Sequence, residues 1–391
     1  MNAAEILQKL KSFITPQNLI IILAVSTFAP FIFTAIALII TVFMILITPD
    51  FQRGLFAFKG SFFIMFFCGY AFIVAFFNQN LYGIFAAPVC FFILTIFCFV
   101  RRFSTREAID SGLTASLFMV YPAVATAIFE ALTNESTSSL IYRCTSYFFN
   151  ANYFGAMMAA AVIICAYRLI EQKGKGFFYY PTALFALIGV YLSGSLFAIV
   201  EIIVGIAIYL LLSKHYRLFC LMIMLGSLAL ILISLVPSLL PRLAEAATTT
   251  GYRIRIWGVA IREIGNHPLF GRGFLSYNEV NPLYEGSYQT EHCHNLFIDA
   301  MLNFGIIGTL LLGVMFYFII KVVFLCFKKE RNELTILIIS VITAVLSHCF
   351  TDITYFWIQT GAFYAILLGS IGCEERRLGI ESELILKSRI F

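Results

Sequence analysis

Charge is scarce in this 391-residue chain: Asp, Glu, Lys and Arg make up 12% of it, about half the share of an ordinary soluble domain. With 61% hydrophobic and 16% aromatic residues, too little polar surface remains to cover a water-soluble fold. Cysteine is present but unpatterned. Eight of the ten (Cys68, Cys90, Cys98, Cys165, Cys220, Cys326, Cys349 and Cys373) lie in or beside apolar runs, so neither a disulfide framework nor a zinc-ligand spacing emerges. Only Cys144 and Cys293 fall in segments expected outside the membrane, and nothing in the sequence pairs them. No convincing A-x-A cleavage site follows "MNAAEILQKLKSF", so the first apolar run is expected to be a retained span and not a removed signal peptide. No repeat relates the two halves.

What is there is a succession of charge-poor runs, each close to the 20 or so apolar residues that cross a bilayer. Divided at charges, prolines and polar clusters, they predict an all-α, polytopic membrane protein, one integral membrane domain over residues 1–391 with about twelve spans. The expected spans are 13–30, 31–48, 61–78, 81–100, 111–129, 152–168, 177–192, 195–213, 218–236, 294–320, 334–351 and 353–371. One long extracytoplasmic loop, about 237–293, separates the ninth from the tenth.

With the N-terminus in the cytoplasm, all but six of the 26 Lys and Arg fall on the cytoplasmic side, as the positive-inside rule requires. The net charge of +5 therefore reflects orientation in a lipid bilayer and asks for no nucleic acid. The six exceptions, Arg143, Arg242, Arg253, Arg255, Arg262 and Arg272, are all arginine. A planar guanidinium grips phosphate oxygens in pairs, so arginines gathered outside point to an anionic ligand. Lipid headgroups or loop glutamates are the plainer partners.

Within the loop, "YRIRIWGVAIREIGNHP" follows the flexible-looking "AEAATTTG" and places Ile256, Val259, Ala260 and Ile264 at helical spacing. An amphipathic helix at the membrane surface is expected, with Trp257 at the interface and Pro268 ending it. "PLFGRGF" then offers a Gly-x-Gly turn whose backbone can approach a ligand closely. Next comes "HCHNLFIDAMLNFGIIG". On a helix starting near His294, Asn295, Asp299 and Asn303 recur every four residues and line one face, toward the bundle interior or a wet cavity, or else tie helices together. Gly305 and Gly308 leave room for a neighbouring helix. Zinc would need three or four ligands, and His267, His292, Cys293 and His294 do not supply a completed set, so no metal is expected. A histidine at the mouth of this face suits general-base work on a hydroxyl, and at a helix entry only one of two residues spaced i, i+2 points along it.

These motifs together resemble the O-antigen ligase and O-antigen polymerase family of bacterial membrane glycosyltransferases. The resemblance covers about residues 140–310 and rests on "HN" nine residues before "GIIG", on Arg-x-x-x-Trp and Pro-x-x-Gly-x-Gly in "YRIRIWGVAIREIGNHPLFGRGF", and on Arg followed by Asn-x-Asn in "YRCTSYFFNANYFGAMMA". One position departs: in "YLSGSLFAIVE" the family commonly carries an arginine where this chain has Leu196, leaving Arg143 or Arg255 to substitute. The resemblance implies transfer of a glycan from a polyprenyl diphosphate carrier to a sugar hydroxyl of a glycan or glycolipid acceptor. It implies a site on the outer face of the bacterial cytoplasmic membrane, without cofactor or metal, in the assembly of O-antigen, capsule or exopolysaccharide. His294 would be the base, Arg253, Arg255 and Arg143 the diphosphate contacts, and Asn295, Asp299, Asn303, Trp257 and Asn152 the supporting residues. Ligase and polymerase share this donor chemistry and differ in the acceptor. A transporter or flippase is the alternative, with Glu201, His348 and Asp352 as relay groups, although such folds show the internal symmetry that this chain lacks.

Overall fold

The computed structural model describes residues 14–56, 60–134, 142–171, 176–354 and 357–380, and among them every regular element is helical. In chain order these are α1 (Pro16–Thr27), α2 (Phe31–Ile47), α3 (Pro49–Phe56), α4 (Gly60–Phe77), α5 (Leu81–Phe103), α6 (Arg106–Leu117), α7 (Val120–Thr133), α8 (Ala151–Glu171), α9 (Gly176–Ser193), α10 (Leu196–Leu212), α11 (Tyr216–Leu235), α12 (Ala246–Asn266), α13 (Tyr277–Val280), α14 (Leu296–Lys329), α15 (Glu333–His348), α16 (Ile358–Gly369) and α17 (Ile371–Arg377). Seven helical stretches are long and apolar enough to cross a membrane, α6 and α7 counting together as one of 28 residues, and four more helices are apolar but shorter.

Each expected span contains a helix, with shifts that have local causes. The first begins only at Pro16, capped by Thr15, whose Oγ1 accepts from Asn18 N–H at 3.2 Å. The fifth starts five residues early because Thr105 caps Arg106–Leu117, its Oγ1 accepting from Ala108 N–H. The last starts at Ile358, so Asp352 lies in a longer connection than the tight turn expected.

Helix α8 is the centre of the bundle. Its run of Gly155, Ala156, Ala159, Ala160 and Ala161 is buried, and small residues let neighbouring backbones come close. A Cβ on Gly155 would lie 2.8 Å from Ser193 Oγ and 2.9 Å from Ser195 Cβ. Helix α11 is the opposite case: none of its 20 residues is buried, which suits an apolar surface solvated by lipid.

Charged groups collect at one end. Arg106 donates to Glu171 at 2.6 Å, Arg168 pairs with Asp110 at 3.1 Å, and Arg377 joins Glu374 at 2.7 Å and Glu330 at 2.9 Å. All belong to segments assigned to the cytoplasm by charge, and together they fasten α17 beneath the bundle.

The other end is built on a break in α14. Gly305 has φ 59° and ψ −168°, a conformation essentially confined to glycine. Residues 268–273 thread into the interruption: Arg272 N–H donates to Leu302 O at 3.0 Å, Gly273 N–H to Asn303 O at 2.7 Å, Ile306 N–H to Pro268 O at 2.9 Å and Ile307 N–H to Leu269 O at 3.1 Å. Loop backbone thus pairs groups that the broken helix cannot pair for itself. This corrects the reading of "PLFGRGF" as a ligand-facing turn. A Cβ on Gly271 would meet Phe304 N at 2.5 Å, and one on Gly273 would meet Ala75 Cα at 2.7 Å, so the glycines admit α14 and α4. Tyr70 of α4 clamps the junction, its hydroxyl donating to Phe270 O at 3.0 Å and Phe304 O at 2.8 Å. Asn80 adds bonds to Arg272 O at 3.1 Å and Phe274 O at 2.9 Å.

The loop helix is longer than expected: "AEAATTTG" is not flexible, since α12 already begins at Ala246. Ile256, Val259 and Ala260 are buried as the periodicity predicts, against Tyr277, Val280, Cys293 and Leu302. They form a small apolar core of their own outside the main bundle.

Candidate functional site: an imidazole–carboxylate pair among arginines

His294 does not begin a helix. Its φ of +49° is a left-handed conformation that costs a non-glycine residue about 1 kcal/mol or more, and α14 starts two residues later with Asn295 as its cap. Asn295 Oδ1 accepts from Phe297 N–H at 3.0 Å and Ile298 N–H at 3.1 Å, and its Nδ2 donates to Phe350 O at 3.1 Å. The His294 N–H donates to His292 Nδ1 at 3.2 Å. The turn is therefore held from both sides.

Because the entry is not helical, the i, i+2 argument fails: both imidazoles converge on one carboxylate. His294 Nδ1 is 3.0 Å and His292 Nε2 3.5 Å from Asp352 Oδ1, with ring centroids 4.4 Å apart. Asp352 is 1% exposed and His292 3%, whereas a fifth of the His294 side chain is accessible. Burial pushes the Asp352 carboxyl up, but the electrostatic pull and hydrogen bond of His294, with His292 adding to them, outweigh it and hold the group well below the usual carboxylate range. Burial, reinforced by His294, pushes His292 down to about 4, so it is neutral and accepts through Nδ1. A carboxylate only accepts, so His294 Nδ1 carries the shared proton. His294 Nε2 is then left as the basic atom, 3.1 Å from Thr290 Oγ1.

The second oxygen of Asp352 leads to the arginines. Asn152 Nδ2 donates to Asp352 Oδ2, and Arg143 Nη2 donates to Asn152 Oδ1. Arg143 also donates through Nε to Ser193 O at 3.0 Å and lies 3.2 Å from where a Cβ of Gly194 would stand. It thus covers the turn before Leu196, the position of the missing family arginine. Arg255 is exposed on α12. Arg253 donates through Nε to Thr351 O at 3.0 Å, beside Asp352. Burial lowers Arg143 to about 10, with Arg242 and Arg253 adding to the fall and Asp352 opposing it. Burial and Arg253 likewise lower Arg242, and burial lowers Arg253. Arg143, Arg242 and Arg253 thus share one neighbourhood: Asp352 acts on Arg143 and Arg253, and Arg242 is ion-paired with Glu245.

Glu130 of α7 sets the Arg143 loop. Its carboxylate accepts from Thr145 N–H at 3.0 Å, Ser146 N–H at 2.8 Å and Tyr142 O–H at 2.7 Å.

The supporting residues bind the loop to α14 instead of lining a wet cavity. Trp257 Nε1 donates to Cys293 O at 2.9 Å, Asp299 Oδ1 accepts from Cys293 N–H at 2.9 Å, and Asn303 donates to Asp299 at 2.5 Å. Asn303 Oδ1 accepts from Ser276 Oγ–H at 2.7 Å. Cys144 and Cys293 are both free and buried.

Sequence reasoning missed Asp352, Arg242, Thr290 and Glu130 as parts of this constellation. Asp352 was noted only as a relay group, and its position between two apolar runs on the outer side was the available signal. It also completes the three-donor set, His292, His294 and Asp352, whose ligand atoms lie within 4.8 Å of one another and are able to hold a metal ion. Three adjacent guanidiniums oppose a dication there, since like charges at short range repel.

A cavity of about 370 Å³ at the charged end, lined by Tyr209, Lys214, His215 and Arg331, touches none of these groups. No curated protein matches the chain. Residues 181–313 match the family model described as O-antigen ligase. That stretch runs from α9 into α14 and takes in the turn under Arg143, the loop helix, His294 and the Gly305 break, while Arg143, Asn152 and Asp352 lie outside it. Over residues 181–313 the chain is therefore similar to the O-antigen ligase family.

Proposed function

We propose that this membrane protein transfers a glycan from a polyprenyl-diphosphate carrier to a sugar hydroxyl, with His294 as general base. Nε2 of His294 takes the proton as the acceptor oxygen bonds to the anomeric carbon and the bond from that carbon to the diphosphate oxygen breaks. The diphosphate leaves as an anion, and Arg253, Arg143 and Arg242 carry its charge. Asp352 keeps the proton on Nδ1 and stabilises the imidazolium formed. The apolar, lipid-solvated surface beside α11 takes the polyprenyl tail. The carrying observation is the accessible imidazole paired with a buried carboxylate beside three guanidiniums. Glu201 and His348, the relay groups of the transporter reading, are bonded to each other at 2.9 Å deep in the bundle, while Asp352 is engaged by His294, so the three form no continuous path.

Purified variants tested on a lipid-linked donor decide the chemistry. His294→Ala should abolish transfer, Asp352→Asn should slow it about a hundredfold or more, the scale for losing a charge-assisted hydrogen bond to a base, and chelators should leave the wild type unaffected. A fully active His294→Ala enzyme, or loss of activity to a chelator with recovery on adding metal, refutes the reading.

The same proposal sets twelve crossings with the N-terminus in the cytoplasm and His294 outside, supported by the charge partition and by the charged network at the end opposite the site. A lone cysteine at Gly286 should react with an impermeant thiol reagent added to intact cells, and one at Lys214 should not. The reverse pattern would invert the topology.

A further inference from the structure

Close to Asp352 begins a chain of aromatic rings that the transfer chemistry does not use. Trp357 stacks on Tyr153 with centroids 6.1 Å apart and planes at 12°, and Tyr153 follows the Asn152 that donates to Asp352. Phe149 meets Trp357 at 5.5 Å and Phe31 at 4.9 Å. Phe149 is 64% exposed and has φ +61°, a left-handed backbone that is strained for a bulky residue. A phenyl ring left largely outside the protein's own packing on a strained turn gives up backbone comfort to stand beside Trp357. The loop that presents Phe149 also presents Arg143, only six residues earlier, and Glu130 fixes that loop through Thr145 and Ser146.

We propose that Phe149 and Trp357 form a stacking subsite for the donor sugar that carries the diphosphate. The inference rests on the transferase reading above. A pyranose ring has a face of C–H groups whose partial positive charge complements the negative face of an aromatic ring. A sugar bonded to a diphosphate held by Arg143 lies near that arginine, and the aromatic pair is tied to the same place: Phe149 shares its loop, and Trp357 stacks on Tyr153, the neighbour of the Asn152 that accepts from Arg143. The acceptor, in contrast, is defined by His294 Nε2 and Thr290, on the other side of the Asp352 carboxylate. The subsite therefore recognises donor before acceptor, through ring faces and without reading individual hydroxyls.

The chain has two tryptophans, so the emission difference between wild type and Trp357→Phe reports on Trp357. The probes are the native repeat oligosaccharide on farnesyl diphosphate and farnesyl diphosphate alone. Only the sugar-bearing probe should change Trp357 emission. Phe149→Ala should weaken its binding about three- to tenfold, the scale of one aromatic contact, raising donor KM alike with acceptor KM and kcat unchanged. Phe149→Tyr should restore both. An equal response to the two probes, an unchanged donor KM in Phe149→Ala, or quenching of Trp357 by headgroup-proximal brominated lipid without any response to sugar would overturn the subsite. Sugar-dependent emission that persists in His294→Ala keeps the subsite, whatever becomes of the base.

Discussion

Replacing Gly305 by alanine should release the site-bearing loop from the bundle. A Cβ there would stand 2.4 Å from both the carbonyl carbon and oxygen of Leu269, and 2.6 Å from Gly271 N. These are backbone atoms, so no side chain can swing aside. Holding alanine at φ 59°, ψ −168° adds about 1–3 kcal/mol of strain. The alternative is to withdraw residues 268–273 and lose the four backbone hydrogen bonds they make with α14, at about 0.5–1.5 kcal/mol each. Withdrawal therefore costs about 2–6 kcal/mol but relieves both strain and collision, so the variant should open. Trypsin reads this directly, because Arg272 lies inside the threaded segment. Proteolysis of native proteins samples the opened population, so cleavage after Arg272 should accelerate about a hundredfold, accompanied by loss of transfer. Gly313→Ala in the same helix, where an added Cβ meets nothing within 4 Å, is the control and should behave as wild type. A Gly305→Ala protein with normal transfer and normal resistance at Arg272 would refute this account of the break.

Two further outcomes are expected. Arg253→Lys keeps the charge but loses the guanidinium fork, so transfer should fall by about tenfold to a hundredfold, the range of one charge-assisted contact of about 1.5–3 kcal/mol. A normal rate with lysine would make Arg253 a surface charge. For His292, burial favours the neutral ring and lowers its pKa from about 6.5 to about 4. The stability it contributes is full above about pH 6.5 and is lost as pH falls through about 4. The melting temperature should therefore drop across that window, and His292→Asn should flatten the drop. An identical fall in both proteins would show that other groups dominate.

Much of this architecture was legible in the sequence because it follows from composition along the chain. Apolar runs located the helices, and the four-residue spacing of Ile256 and Ala260 identified a helix with one buried side. The site was legible only where it is local. His294, Arg253 and Arg143 stood out as residues of the wrong polarity in the wrong place. Asp352 did not, because its bonds to His294 and Asn152 join connections 58 and 200 residues away, and no periodicity encodes such a meeting. The reading of Asn295, Asp299 and Asn303 went astray for a related reason. A four-residue spacing says that three residues share a face, but Asn295 caps the helix from outside it, and the other two spend their hydrogen bonds on the loop laid across them. Gly305 looked like a site for a neighbouring helix, and what approaches is a loop backbone.

The break in α14 also sets a height. Below the break, residues 306–329 of α14 span about 36 Å at 1.5 Å per residue, whereas the hydrocarbon of a bilayer is about 30 Å thick. Counted upward from the basic end at Lys328 and Lys329, about 20 residues cross that layer, which puts its outer edge near Leu310 and Gly305 among the lipid headgroups. Irregular backbone is tolerable there and expensive a few ångströms deeper. The threaded loop is thereby moored at the level where lipid phosphates lie, and under the proposed function a lipid-borne diphosphate would meet the arginines without being drawn from its leaflet. The bilayer itself becomes part of the alignment: thicker membranes would sink the mooring point and thinner ones lift it, so transfer should depend on acyl-chain length.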